Sequence, residues 1–157
     1  MLLTRHSSAG ERLESPSDDR LRPLDRAGRA GARRLPSALS MHAIERIVSS
    51  PHTRALETVA PLAHRLRIDV ECREELAPDA PRNDTLSLLA ELPETALVCT
   101  HREVFERLFR GEVACEKGGT WIVERRGRRH VPVAYLPPLS SAIAPGMRAA
   151  RRAKASR

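Results

Sequence analysis

Leu2-Leu3-Thr4-Arg5-His6-Ser7 reads as a short apolar strand that delivers an Arg-His pair at its carboxyl end. In an open α/β sheet, ligands bind beyond the carboxyl ends of the strands, so that pair stands where chemistry is placed. Working outward, three later segments bring polar groups to corresponding points: Ser49-Ser50-Pro51-His52-Thr53-Arg54, Arg73-Glu74-Glu75-Leu76 and Leu97-Val98-Cys99-Thr100-His101. Ala96 to Thr100 is a continuous apolar run, as a strand buried on both faces requires. Apolar runs alternate with helical patterns along the chain. That alternation predicts a three-layer α/β/α architecture around a central, mainly parallel sheet.

The remaining elements follow from local signals. Ala43 to Val48 and Ile68 to Cys72 read as strands. Trp121 to Glu124 and His130 to Leu136 read as a terminal antiparallel hairpin turning at Gly127. Pro23 opens a helix with Leu24, Ala27, Ala30, Gly31 and Leu35 on one face, and Pro36 ends or kinks it. Ser50-Pro51 starts the next helix, with Ser50 as cap, burying Leu56, Val59, Ala60, Ala63 and Leu66 and bent at Pro61. Further helices run from Asp84 to Leu92, capped by Asn83 or Asp84, and from Glu103 to Arg110. Ser7 to Leu21, rich in Ser, Asp, Glu and Arg, reads as a mobile loop. Pro137-Pro138 closes a single domain of residues 1–138, followed by a basic, weakly ordered tail at 139–157.

Composition narrows the class. The 157 residues are 41% hydrophobic, enough for one domain with its own core. Aromatics are only 3%, so the core is aliphatic and base stacking on aromatic platforms is disfavoured. The formal charge is +7. Five basic residues after Gly146 carry most of that excess and leave about +2 for the rest, which argues against a dedicated nucleic-acid reader. Cys72, Cys99 and Cys115 show no metal or disulfide spacing, and Cys72 and Cys99 read as small buried hydrophobes in strands. A first strand starting next to Met1 and the lack of any membrane-length apolar run predict a cytoplasmic protein.

Parallel strands would converge Arg5, His6, Arg54 and His101 along one sheet edge. Together with an acid from Arg73-Glu74-Glu75 they supply a nucleophile, two guanidinium groups, a second imidazole and a carboxyl group, the inventory for phosphoryl transfer. The bland readings are surface arginines and a satisfied strand-end histidine. His42, His52, His64 and His130 show no mutual metal spacing and read as surface or helix residues, with His52 near the pocket. The Arg125-Arg126-Gly127-Arg128-Arg129 cluster reads as a solvated turn. The Lys117 to Trp121 stretch borders the pocket or packs under the hairpin.

On these residues the chain resembles the histidine phosphatase superfamily, also called phosphoglycerate mutase-like, and within it the small SixA-like branch. Arg5-His6 matches the first-strand pair. Ser49, Ser50, Pro51, Arg54, Ala55 and Thr58 match Ser-Ser-Pro-x-x-Arg-Ala-x-x-Thr, and His101 matches the second histidine. Arg22-Pro23-Leu24 with Arg26-Ala27-Gly28 matches a segment of the small members. Two departures stand out: Ser7 replaces the usual glycine, and Arg102 stands where many members have glycine. Thr100-His101-Arg102 and Lys117-Gly118-Gly119-Thr120-Trp121 are instead similar to the phosphatase domain fused behind MutT-type Nudix domains.

The resemblance implies a metal-independent phosphoric monoester hydrolase. It makes His6 the nucleophile, His101 its partner, and Arg5 and Arg54 phosphate clamps; Arg102, outside the family pattern, reads as a further phosphate contact or an exposed residue. Glu75 is favoured as proton donor, with Glu74, Asp79 and Asp84 as alternatives. No cofactor or metal is demanded. The substrate implied is either phosphohistidine on a partner protein or a nucleotide or other small phosphate ester. The competing reading is a non-catalytic phosphate- or acidic-polymer-binding module that retains the fold, with the tail as its contact.

Overall fold

The computed structural model describes residues 1–139, and the expected basic tail lies, but for Leu139, outside the described residues. Six strands form one sheet: β1 (Leu2–Arg5), β2 (Arg46–Ser49), β3 (Val70–Cys72), β4 (Ala96–Thr100), β5 (Thr120–Arg126) and β6 (Arg129–Leu136). Their order is β3-β2-β4-β1-β5-β6. The first four in that order run parallel, while β5 pairs antiparallel with β1 and with β6. Five helices accompany them: α1 (Pro16–Leu21), α2 (Arg26–Ala38), α3 (Thr53–Leu66), α4 (Arg82–Glu91) and α5 (Arg102–Leu108). Among the described residues no helix is long and apolar enough to cross a membrane.

The period of two along the strands divides the core into two layers. Leu3, Val48 and Val98 pack with Leu88, Leu89 and Phe105 of α4 and α5. Leu2, Ile47, Leu97 and Cys99 pack with Leu35 of α2 and with Ala55, Val59 and Leu62 of α3. Helices therefore cover both faces, as expected for α/β/α layering, and β4 occupies the interior exactly where its apolar run predicted. The aliphatic core leaves the sheet edge to carry the polar groups.

Several local expectations are corrected. The supposed mobile loop contains α1, capped by Ser15 with Pro16 in its first turn, so the Ser-Pro start signal operates here. It does not operate at Ser50-Pro51, because the Ser50 hydroxyl is taken by two histidines and α3 begins only after His52. α2 starts after Asp25 rather than at Pro23, since the Asp25 carboxylate accepts from Gly28 N. It buries Gly28, Ala32, Leu35 and Pro36 and runs past Pro36 to Ala38, so Ala27 and Ala30 lie off its inner face. α4 begins two residues early and has no side-chain cap, and Leu66 is exposed. The hairpin strands extend further toward Gly127 than the apolar pattern alone shows. Cys72, at the edge of the sheet, is exposed, whereas Cys99 in the central strand is buried.

Close backbone approach fixes one glycine. A Cβ on Gly28 would lie 1.9 Å from the Ser8 carbonyl oxygen, so α2 reaches the segment after β1 only because residue 28 lacks a side chain. Asp25 completes this junction by accepting from Ser8 Oγ and Gly10 N.

Candidate active site

The strand register carries three residues to one point. The β1–β4 ladder ends with Arg5 opposite Thr100 and continues as His6 N donates to Thr100 O at 3.0 Å. The β2–β4 ladder ends with Ser49 opposite Cys99 and continues as Ser50 N donates to Cys99 O at 3.0 Å. His6, Ser50 and His101 are thus the first residues beyond three adjacent parallel strands. The His6 and His101 rings stand 5.0 Å apart.

His6 is buried, and its Nδ1 lies 2.7 Å from the Ser7 carbonyl oxygen. A carbonyl only accepts, so Nδ1 carries the proton and the neutral ring leaves a lone pair on Nε2. Burial pushes His6 down to about 3, outweighing the Ser7 hydrogen bond, and the positive charges of Arg54, Arg5 and Arg22 act in the same direction as burial. The ring is therefore neutral at physiological pH. Ser7 is held in turn: its N–H donates to Thr58 Oγ1 at 3.0 Å, and that hydroxyl donates to Arg54 O at 2.7 Å.

His101 is fully buried, and burial, followed by the neighbouring His6, holds it well below the usual histidine range. Its Nε2 is 2.8 Å from Ser50 Oγ, and Nδ1 is buried without a hydrogen-bond partner. His52 packs edge-on against it with centroids 4.8 Å apart, and His52 Nδ1 lies 3.2 Å from Ser50 Oγ.

The guanidinium of Arg54, 3% exposed, meets Asp19 twice: Nη1 donates to the backbone oxygen at 2.6 Å and Nη2 lies 3.2 Å from the carboxylate. That carboxylate also accepts from Arg22 Nε at 2.8 Å and from the Leu13 N–H at 3.1 Å. Against burial, these hydrogen bonds and the two arginines keep Asp19 below the ordinary carboxylate range. Arg5 Nη1 donates to Cys115 O at 2.7 Å, which anchors that side chain beneath β5. Arg102 is mostly exposed and pairs with Glu106 at 3.3 Å, sharing with Arg5 a groove of about 480 Å³.

The carboxyl edge of the sheet thus holds a neutral imidazole with a lone pair on Nε2, a second buried imidazole, the buried guanidinium of Arg54 and the partly buried one of Arg5. The sequence pattern described as histidine phosphatase superfamily (branch 1) matches residues 1–78. The chain belongs to the histidine phosphatase superfamily. Its phosphoglycerate mutase-like fold is shared with a protein histidine phosphatase SixA solved with tungstate, at a TM-score of 0.72 and 22% identity over 87% of this chain and 96% of that one. A putative phosphohistidine phosphatase SixA from Agrobacterium tumefaciens gives 0.69 and 21% over 87% and 96%. An 8-oxo-(d)GTP phosphatase of Mycolicibacterium smegmatis is 30% identical over 154 residues, covering 88% of this chain. The chain spans about half, 48%, of that curated relative's length.

Within this member of the superfamily, the site residues expected from sequence do not all meet. His6 and His101 are in ring contact, and Arg5 and Arg54 are charged neighbours of His6. Glu75 instead forms a fork with Arg73, at 2.6 and 3.3 Å, which holds its carboxyl below the usual range and therefore ionised. Donating a proton from Glu75 requires that fork to open. Sequence reading missed the roles of Asp19 and His52. The Ser15-Pro16 start signal followed by Asp19 and Arg22, three apart on one helical turn, could have revealed the first; nothing in the sequence pairs His52 with His101 through Ser50.

The buried histidines of this chain should make its stability pH-dependent. In the unfolded chain His6 takes a proton near pH ~6.5, and in the folded chain only near 3. Between those values the unfolded state binds more protons, so stability is fully present above the unfolded value and is lost as pH falls. Urea denaturation at about pH 7.5 and about pH 5 should show a loss on the order of a few kcal/mol, and His6→Asn should flatten part of that slope. Equal slopes for the variant and the parent would show that His6 is not buried as a neutral ring.

Proposed function

We propose that this chain hydrolyses a small phosphate ester, with nucleotides as the leading class, through a phosphohistidine on His6 and without a metal ion. The observation that carries the reading is the Nδ1–H to Ser7 carbonyl bond, which fixes the neutral tautomer with its lone pair on Nε2. Nε2 attacks phosphorus in line, the phosphorus–oxygen ester bond breaks and the leaving oxygen takes a proton. Water then attacks, the phosphorus–nitrogen bond breaks, and phosphate and neutral His6 are regenerated. Arg5 and Arg54 balance the charge of the equatorial oxygens, His101 supplies a ring nitrogen, and Arg102 is an outer contact. Glu75 protonates the leaving oxygen only after it leaves the Arg73 fork and takes up a proton from solvent, since in that fork it is ionised.

The preference for a small substrate rests on the segment after β1. Asp19, Leu13 and Arg22 pack it against Arg54, and Arg22 Nη1 donates to Ala9 O at 2.6 Å. An ordered wall beside the histidines suits a bounded ligand. The name of the 8-oxo-(d)GTP phosphatase relative supports the nucleotide class. Phosphohistidine on a protein is the second reading, favoured by the SixA likeness in fold alone. Phosphate release from nucleotides, an aryl phosphate and a phosphohistidine protein, with a chelator throughout, separates them. Turnover of nucleotides is expected. Turnover of the phosphoprotein alone would replace the substrate class, and loss of activity on chelation would remove the metal-free chemistry.

A further inference from the structure

We propose that His52, acting through the Ser50 hydroxyl, is a positioning residue that fixes the tautomer of His101 so that its free ring nitrogen presents an N–H to the transferring phosphoryl group. The inference rests on the phosphoryl-transfer reading above and adds to it a residue beyond the four that the strand ends supply.

The argument is one of hydrogen-bond capacity. Ser50 Oγ has one proton to give and two lone pairs. The His52 backbone N–H, at 3.4 Å, occupies one lone pair. What remains, one O–H and one lone pair, serves His101 Nε2 at 2.8 Å and His52 Nδ1 at 3.2 Å. One imidazole must therefore donate to Ser50 and the other must accept from it, and the choice at His52 dictates the choice at His101. If His52 donates from Nδ1, Ser50 donates to His101 Nε2, and the neutral His101 carries its proton on Nδ1. If His52 accepts, His101 donates from Nε2 and its Nδ1 is a bare lone pair.

Only the first arrangement suits a phosphoryl oxygen, which accepts hydrogen bonds and repels a lone pair. Nδ1 is the His101 ring nitrogen left over, buried and without a partner. Because burial disfavours imidazolium at His101, the N–H has to come from the tautomer rather than from an added proton. His52 itself is only 8% exposed and packs edge-on against the ring it orients, so its own geometry is held as well.

The test compares wild type with His52→Asn, whose amide can donate from the place of Nδ1, and His52→Phe, which keeps the aromatic volume and removes the donor. Nitrogen-15 NMR of histidine-labelled protein reads the His101 tautomer directly, and steady-state kinetics with an aryl phosphate reads the consequence. Wild type and His52→Asn should show His101 protonated on Nδ1. His52→Phe should show loss of that form and a kcat lower by about tenfold or more with KM little changed. Protonation of wild-type His101 on Nε2, or a His52→Phe protein with the wild-type tautomer and kcat, overturns the proposal. Equal losses in both variants, with the tautomer unmoved, make His52 a packing residue and overturn it too. A wild-type protein with the Nδ1–H tautomer but no phosphatase activity leaves the relay standing and rejects the functional reading.

Discussion

On the proposed mechanism His6→Ala should abolish phosphate release, by at least ~10⁴-fold in kcat, because the variant would have no atom to accept the phosphoryl group. The rest of the pocket cannot replace it. His101 has Nε2 committed to Ser50, and its tilted ring stands 5.0 Å away. Arg5 and Arg54, the proposed phosphate clamps, survive the substitution, so binding of inorganic phosphate or tungstate should persist. The measurement is phosphate release by both proteins with a chelator present, alongside equilibrium binding of tungstate. Removing a 7%-exposed ring leaves a cavity, and thermal unfolding of the variant guards against reading misfolding as lost chemistry. A folded variant that retains more than a hundredth of wild-type activity would transfer the nucleophile's role elsewhere.

Arg54→Ala carries the second large effect, and it acts on stability as well as rate. Asp19 is buried, with 7% of its side chain exposed, and Arg54 is one of two guanidinium groups compensating it. Deleting one partner of a buried pair costs about 3–5 kcal/mol when nothing replaces it, and Arg22 keeps the loss toward the lower end. α1 loses its main tether to α3. The more exposed Arg20 to Glu74 pair ties α1 to the segment after β3 rather than to α3, and contributes little. The rate should fall by about 10²–10³ through loss of a donor to the phosphoryl oxygens. Arg54→Lys keeps the charge but not the fork and should recover stability more than rate. Denaturant unfolding and kcat measured on the same preparations separate the two. An Arg54→Ala protein as stable as the parent would mean that the Asp19 pair contributes nothing.

Residue-level legibility varied with the range of the interaction involved. β4 was readable to its ends because four consecutive apolar residues closed by Thr100 have one solution, a strand covered on both faces. The Arg-His pair after β1 and His101 after β4 followed from the same reasoning, and the register of those two strands then brought the histidines together. Ser50 was misread as a helix cap because its local context, Ser before Pro, is identical to that of Ser15, where the cap is real. Cys72 was misread as buried because composition does not reveal that its strand is an edge.

The sequence by itself determined the α/β alternation, the parallel strand ends and the identity of the residues delivered there, since each depends on patterns a few residues long. Only the tertiary structure decided their protonation and partners. The His6 tautomer depends on where the Ser7 carbonyl points, the charge of Arg54 is shared with an acid 35 positions earlier, and the His101 proton depends on a hydroxyl 51 positions away. A hydrogen bond requires atoms to meet within a few tenths of an ångström, and that precision is set by packing of the whole sheet rather than by any local run of residues.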